Sequence, residues 1–192
     1  MLKAVIVYHS GYGHTKKQAE AVLAGMSSNS RVESQLIAID PEGNLTDAEW
    51  LLLNAAHAIV FGSPTYMGSV SWQFKKFADA TSKAWMSQQW KNKLAAGFTN
   101  SASMNGDKLN TLYYFFTLAM QHSMLWVGTG MLPASSKTAT RNDINYLASF
   151  SGLMAQSPSD ASPEEGPLPG DLETAKLFGK RVAEMSLVIF SD

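Results

Sequence analysis

Residues 2–8, Leu-Lys-Ala-Val-Ile-Val-Tyr, are an apolar run broken only by Lys3, and they lead through His-Ser-Gly-Tyr-Gly into a helical pattern that starts near Thr15. A continuous apolar run, as opposed to an alternating one, marks a strand covered on both faces, as in the middle of a parallel sheet. A buried strand that hands a glycine- and hydroxyl-rich turn to a helix start constrains both the architecture and what can bind there. The first N–H groups of a helix lack intrahelical acceptors, and the dipole leaves partial positive charge beside them, so such a turn accepts an anion. Gly11 and Gly13 permit close backbone approach, while Ser10 and Thr15 add hydroxyl donors. The turn matches neither common phosphate motif: Lys16 stands where G-x-G-x-x-G needs its third glycine, and the pattern G-x-x-x-x-G-K-[ST] fails as well. Taken alone, these residues also describe an ordinary strand-to-helix connection with Ser10 or Thr15 as N-cap.

The rest of the chain repeats this alternation. Ala19, Val22, Leu23 and Met26 give the first helix an apolar face. A second strand is predicted at 32–39, followed by a Pro-Glu-Gly-Asn turn and a short helix through Asn54 opened by the capping box Thr46-Asp47-Ala48-Glu49. A third strand at 57–61 precedes a polar stretch, and a helix over 69–83 places Val70, Phe74, Phe77, Ala78 and Thr81 on one side. A fourth strand at 94–98 is followed by the polar segment 99–106. The next helix, 107–121, carries Tyr113, Tyr114, Phe115 and Phe116, so it is either buried on most sides or part of an oligomer interface, to which 85–90 would add. The fifth strand is predicted at 124–127. Residues 128–170 fit no periodic template and are too long for a plain loop, so a short strand is expected near 151–155 together with a binding or interface loop. The segment 157–170, rich in Pro, Ser, Asp and Glu, reads as an exposed surface loop. A last helix begins near Asp171. Strand and helix alternating in this way predict one α/β domain over 1–192, a parallel sheet with helices on both faces.

Composition narrows the chemistry. The chain has no cysteine, which excludes disulfides, thiolate metal sites and cysteine nucleophiles; redox chemistry would have to come from a bound cofactor. Fifteen basic and sixteen acidic side chains leave a net charge of −1, and nothing in that balance points to nucleic acid or to a membrane surface. No segment is apolar for the length of a bilayer, no signal-peptide pattern opens the chain, and a cytoplasmic location is expected. No metal site is expected either.

Three polar, glycine-containing loops follow three strands, at residues 10–15, 63–69 and 99–106. In a doubly wound sheet these lie together beyond the carboxyl ends of the strands, where ligands bind. The first suits a phosphate. The others offer backbone donors and acceptors to the edge of a ring, and Tyr66, Met67 and Trp85 offer apolar surface to its faces. Flavin mononucleotide (FMN) is the usual ligand of the five-stranded 2-1-3-4-5 arrangement.

The same residues carry a family resemblance. Ser-Gly-Tyr-Gly-His-Thr after the first strand, Phe61 to Gly68 after the third, and 118–124 around His122 resemble the WrbA-type NAD(P)H:quinone oxidoreductases of the flavodoxin-like superfamily. Trp85 and Lys93-Leu94-Ala95 also fall where that family has equivalents, and the similarity runs to about Val127. The resemblance implies a three-layer αβα flavodoxin-like fold with a five-stranded parallel sheet in the order 2-1-3-4-5. It implies that Ser10, Tyr12, Gly13, His14 and Thr15 hold the FMN phosphate. Pro64, Thr65, Tyr66, Met67 and Gly68 would meet the ring, and Thr99, Asn100, Ser101, Ala102, Ser103 and Asn105 would form the third FMN loop. His122 would stand beside the ring and the substrate as a catalytic residue, with Trp85 and Met131 completing a substrate pocket. The implied activity is transfer of two electrons from NADH or NADPH to a quinone-like acceptor, in a homodimer or homotetramer.

The chain departs from the family on the substrate and assembly sides. Tyr66-Met67 replaces Arg-Phe, Met131 stands near a position often held by Tyr, the third loop has less glycine, and the insertion after the second strand is largely missing. Two other readings stay open: a flavodoxin-type electron carrier, against which the near-neutral charge argues because such carriers are usually strongly acidic, and a cofactor-free interaction module.

Overall fold

The computed structural model describes residues 1–190. In chain order the elements are β1 (Leu2–Tyr8), α1 (His14–Met26), β2 (Val32–Ala38), α2 (Asp47–Ala55), β3 (Ala58–Tyr66), β4 (Ser69–Val70), α3 (Trp72–Ala80), α4 (Ser82–Met86), β5 (Leu94–Ser101), α5 (Lys108–Gln121), β6 (Leu125–Trp126), β7 (Leu153–Gln156) and α6 (Pro169–Phe190). The main sheet is parallel, with β2-β1-β3-β5 side by side and the next position shared by two short strands. β6 pairs with the start of β5 (Leu94↔Leu125) and β7 with its end (Phe98↔Leu153). The expected order 2-1-3-4-5 is therefore present, with its last strand in two pieces. The short strand expected near 151–155 is Leu153–Gln156, and residues 127–152 bulge out between the two halves.

Three sequence expectations are corrected in the middle of the chain. β3 does not stop at Phe61 but runs on through Gly62-Ser63-Pro64-Thr65-Tyr66. Its polar side chains are satisfied internally: Ser63 Oγ accepts from Ser71 N at 2.9 Å, and Thr65 Oγ1 lies 2.7 Å from Thr99 Oγ1 and 2.8 Å from Thr111 Oγ1. Ser69 and Val70 are not helical; they fold back antiparallel on Tyr66 and Thr65. Met67 and Gly68 make the turn with φ of 47° and 79°, the left-handed pair that a two-residue hairpin requires. The helix then starts at Trp72, with Ser71 Oγ accepting from Phe74 N, and it breaks at Thr81, whose hydroxyl donates to the Ala78 carbonyl. β5 likewise extends to Ser101, so Thr99 and Asn100 belong to a strand.

The core lies on both faces of the sheet. On one face Ile6, Phe98 and Leu153 pack beneath α1 and α6 with Val22, Met26, Phe178 and Val182. On the other, Val7, Phe61 and Ala95 meet Leu53, Phe74, Phe77, Trp90, Leu112 and Phe115. α1 and α6 touch backbone to backbone: a Cβ on Gly25 would strike the Lys176 carbonyl, and one on Gly179 would strike that of Val22. Trp90 is wholly buried, its indole N–H donating to Asn54 Oδ1 at 2.9 Å, which removes it from any interface. No helix among the described residues is long and apolar enough to cross a membrane.

Candidate functional site

The carboxyl ends of β1, β3, β5 and β7 open on one cavity of about 470 Å³, within the range of small-molecule sites. Its first wall is the turn into α1. Ser10 Oγ accepts from Gly13 N and Lys16 N, both at 3.1 Å, and so fixes the turn. Gly13 sits at φ 90°, with the Pro163 ring where a side chain would be. The His14 and Thr15 N–H groups face the start of the helix without intrahelical acceptors. His14 Nε2 lies 2.9 Å from the Ala161 carbonyl, which fixes that nitrogen as the donor. Lys16 and Lys17 are drawn to Glu20 and Glu164 at the surface, at 4.0 and 3.9 Å, so the donors of this wall are amides and hydroxyls.

The second wall is the hairpin β3–β4. Pro64, Thr65 and Tyr66 line the cavity, and the Tyr66 ring meets Tyr12 edge-on at 6.2 Å. Burial pushes the Tyr66 phenol up, and Tyr12 adds to the shift. Met67 projects fully into solvent at the hairpin tip.

The third wall is Asn100, Ser101 and Ala102, joined by Ser157 and Ser159 from beyond β7. Asn100 Nδ2 donates to Ser157 Oγ at 2.8 Å. Asn100 Oδ1 is buried and has no partner among the described residues; His9 Nδ1 and Gln18 Oε1, near the ends of β1 and the start of α1, share that condition. Buried polar atoms are normally satisfied, so an orphaned acceptor in a cavity wall calls for a donor from a ligand. Behind this wall Lys108, fully buried at the first turn of α5, donates to Ser101 Oγ at 2.8 Å and to the carbonyls of Ser103 and Met104 at 2.6 and 3.0 Å.

The structure brings Tyr12, His14, Thr15, Pro64, Thr65, Tyr66, Asn100, Ser101 and Ala102 together around this cavity. Ser10 and Gly13 shape the first turn, Gly68 shares the hairpin tip with Met67, and Thr99 lies one layer down, bonded to Thr65. Ser103 turns its carbonyl to Lys108, and Asn105 faces a separate open depression beside Tyr146 and Phe150. The expected substrate-side residues do not join them. His122 follows α5 and Trp85 lies in α4; both line a hollow at the other end of the sheet, because α3 and α4 bring the chain back to where β5 begins and α5 brings it back to where β6 begins. Met131 is packed against the α1–α6 side of the core, with its carbonyl accepting from Asn145 Nδ2.

Ser157, Ser159 and Lys108 are additions that sequence reasoning missed. The segment after β7 read as an exposed loop, yet Ser157 is buried, its N–H donates to the Ser101 carbonyl at 3.1 Å, and Ala161 and Pro163 close over the first turn. The available signal was a Ser-Pro-Ser run directly after a short apolar stretch, the same strand-then-hydroxyl pattern as in the other three loops.

Residues 46–139 match the family described as NADPH-dependent FMN reductase. The chain is 52% identical over 185 residues to Flavodoxin FldP of Pseudomonas aeruginosa, covering 96% of this chain and 97% of that protein. It is 30% identical over 203 residues to an NAD(P)H dehydrogenase (quinone) of Geobacter sulfurreducens, covering 96% and 98%. Among solved structures, a flavodoxin, WrbA-like protein from Agrobacterium tumefaciens superposes with a TM-score of 0.77 at 49% identity, covering 98% of this chain and 99% of that one.

Proposed function

The chain belongs to the flavodoxin-like family of WrbA-type proteins, and we propose on that footing that its cavity holds FMN and that the protein is a flavodoxin-type carrier of electrons. The observation that carries the cofactor assignment is the wall chemistry: amide and hydroxyl donors at the start of α1, and at the neighbouring strand ends the buried, unpartnered Asn100 Oδ1. The His14 and Thr15 N–H groups with the Thr15 hydroxyl would hold the phosphate. Tyr66, with Tyr12 against it, would cover a ring face, and Asn100 would accept from a ring N–H. Bound FMN supplies two-electron redox chemistry.

The carrier reading is supported by the 52% identical relative named Flavodoxin FldP and by where the residues of a single chain stand. Trp85 and His122, the expected acceptor-side residues, are at the opposite edge of the sheet from the cavity. A second reading, reduction of a quinone by NADH or NADPH, is supported by the Geobacter relative, the matched family and the near-neutral charge. The test is the visible spectrum of the purified protein, titration of the apoprotein with FMN, and then steady-state oxidation of NADH and NADPH by a soluble quinone. FMN uptake without turnover supports the carrier, turnover moves the assignment to the reductase, and failure to bind FMN overturns both. The expected homo-oligomer has its candidate face on α5, where Leu109, Tyr113, Phe116 and Met120 point outward at helical spacing. Sedimentation of the wild type against Tyr113→Glu tests that contact.

A further inference from the structure

Two lysines are buried in this fold, and they stand at opposite ends of helices. Lys93 donates to the Leu53 and Asn54 carbonyls at 3.2 and 2.6 Å, at the C-terminal end of α2, where free carbonyls and the negative end of the dipole welcome a cation. Its position is explained by the fold alone. Lys108 is the first residue of α5, at the positive end of a dipole, where a cation is disfavoured. Its three donors go to Ser101 Oγ and the carbonyls of Ser103 and Met104, all neutral. The charged groups facing it are Asp171 of α6 and Arg141 of the 127–152 segment. These are already paired with each other, through both carboxylate oxygens, at 3.1 and 2.8 Å. Burial lowers the Lys108 ammonium to about 8, so it is still largely charged at neutral pH. Asp171 favours the ammonium more than Arg141 opposes it, but two cations face this one carboxylate, so the cluster keeps a net positive charge; the loop that Lys108 holds, through Ser101, is a wall of the cavity.

We propose that Lys108 is a positioning residue that fixes the third loop and, through its uncompensated charge, favours the reduced, more negative state of the bound flavin over the oxidised state. The inference rests on the FMN reading of the cavity. Holding a loop requires only neutral donors; burying an ammonium at the wrong end of a helix is costly unless an anion shares the site.

The test compares wild type, Lys108→Met and Lys93→Met, each loaded with FMN, by the two-electron midpoint potential and by the affinity of the apoprotein for oxidised FMN. Lys108→Met is expected to weaken the reduced state about tenfold more than the oxidised state, a potential about 30 mV lower. Lys93→Met should leave the potential in place. A Lys108→Met potential equal to wild type, with both affinities lowered together, would reduce Lys108 to a loop tie and overturn the inference while leaving FMN binding intact. Wild-type apoprotein that takes up no FMN overturns the cofactor reading and this one with it. Should Lys108→Met fail to fold, the wild type provides the measurement: coupling is reciprocal, so the Lys108 Nζ titration followed by nitrogen NMR must move up by about one pH unit on reduction. No movement overturns the inference.

Discussion

His122 Nε2 lies 2.8 Å from Thr81 Oγ1, and because that hydroxyl donates to the Ala78 carbonyl at 2.6 Å, the imidazole is the donor of the pair. Its proton is therefore on Nε2, and Nδ1 is buried without a partner among the described residues. The ring also lies against Trp90, with centroids 4.5 Å apart. Protonation would create a buried N–H cation with nothing to accept from it. Burial accordingly lowers this group to about 4.

The first expected outcome follows from that shift. Between about pH 6.5 and 4 the unfolded chain binds a proton at His122 and the folded chain does not, so stability is full above this window and falls as the pH drops through it. The loss should be on the order of 2–3 kcal/mol. Urea denaturation at pH 7 and pH 4.5 measures it, and His122→Gln, which keeps a donor for Thr81 and cannot take a proton, should flatten the dependence. An equally steep loss in that variant would place the titrating group elsewhere.

Gly25→Ala and Gly179→Ala are each expected to destabilise the fold by about 3 kcal/mol, the upper end of what overpacking costs. At both positions the atom met by the new methyl is a backbone carbonyl of the facing helix, which cannot turn aside as a side chain would. The measurement is the urea midpoint of each variant. Wild-type midpoints would mean that α1 and α6 slide apart at little cost.

The parallel sheet and the first turn were legible because they rest on long-range patterns of the chain itself: a continuous apolar β1, and loops that mix glycine with hydroxyls. The hairpin was not legible. Gly62 to Tyr66 look like a loop by composition, but a strand in mid-sheet tolerates Ser63 and Thr65 when Ser71, Thr99 and Thr111 meet their hydroxyls; Ser71 comes within reach only through the hairpin, and the two threonines are remote in sequence. β7 was visible only as a suspicion, since four residues cannot show a period. Lys108 drew no notice in the sequence; its burial depends on how the loop before it closes around the ammonium. His122 and Trp85 were placed by resemblance; within one chain α5 carries His122, and α3 with α4 carry Trp85, to the other edge.

Thr15 is buried at the start of α1 and lines the cavity, so its hydroxyl should act on the phosphate directly. Thr15→Val is expected to weaken FMN binding roughly tenfold or more, as for a hydrogen bond to a charged group. Riboflavin, which lacks the phosphate, should bind wild type and variant alike. Fluorescence titration with both ligands is decisive: an equal loss for riboflavin would assign Thr15 to the fold and not to the phosphate.

Ser157 joins the two halves of the third wall. Its N–H donates to the Ser101 carbonyl at 3.1 Å, and its hydroxyl oxygen accepts from Asn100 Nδ2 at 2.8 Å. Ser157→Ala leaves the backbone bond and removes the acceptor, so both polar atoms of the Asn100 amide become orphans in a closed wall. That should cost the apoprotein about 1–3 kcal/mol. Asn100→Ala introduced on top of it should cost less than it does in the wild type, because the amide it removes is already unpaired. Denaturant midpoints of the two single variants and the double variant give the coupling, expected at about 1 kcal/mol. FMN should then relieve part of the Ser157→Ala defect, since a ligand donor reaching Asn100 Oδ1 satisfies one of the two orphans, and the variant's midpoint should rise with added FMN more than the Asn100→Ala midpoint does. Equal responses to FMN would mean that Asn100 meets the cavity without touching its occupant.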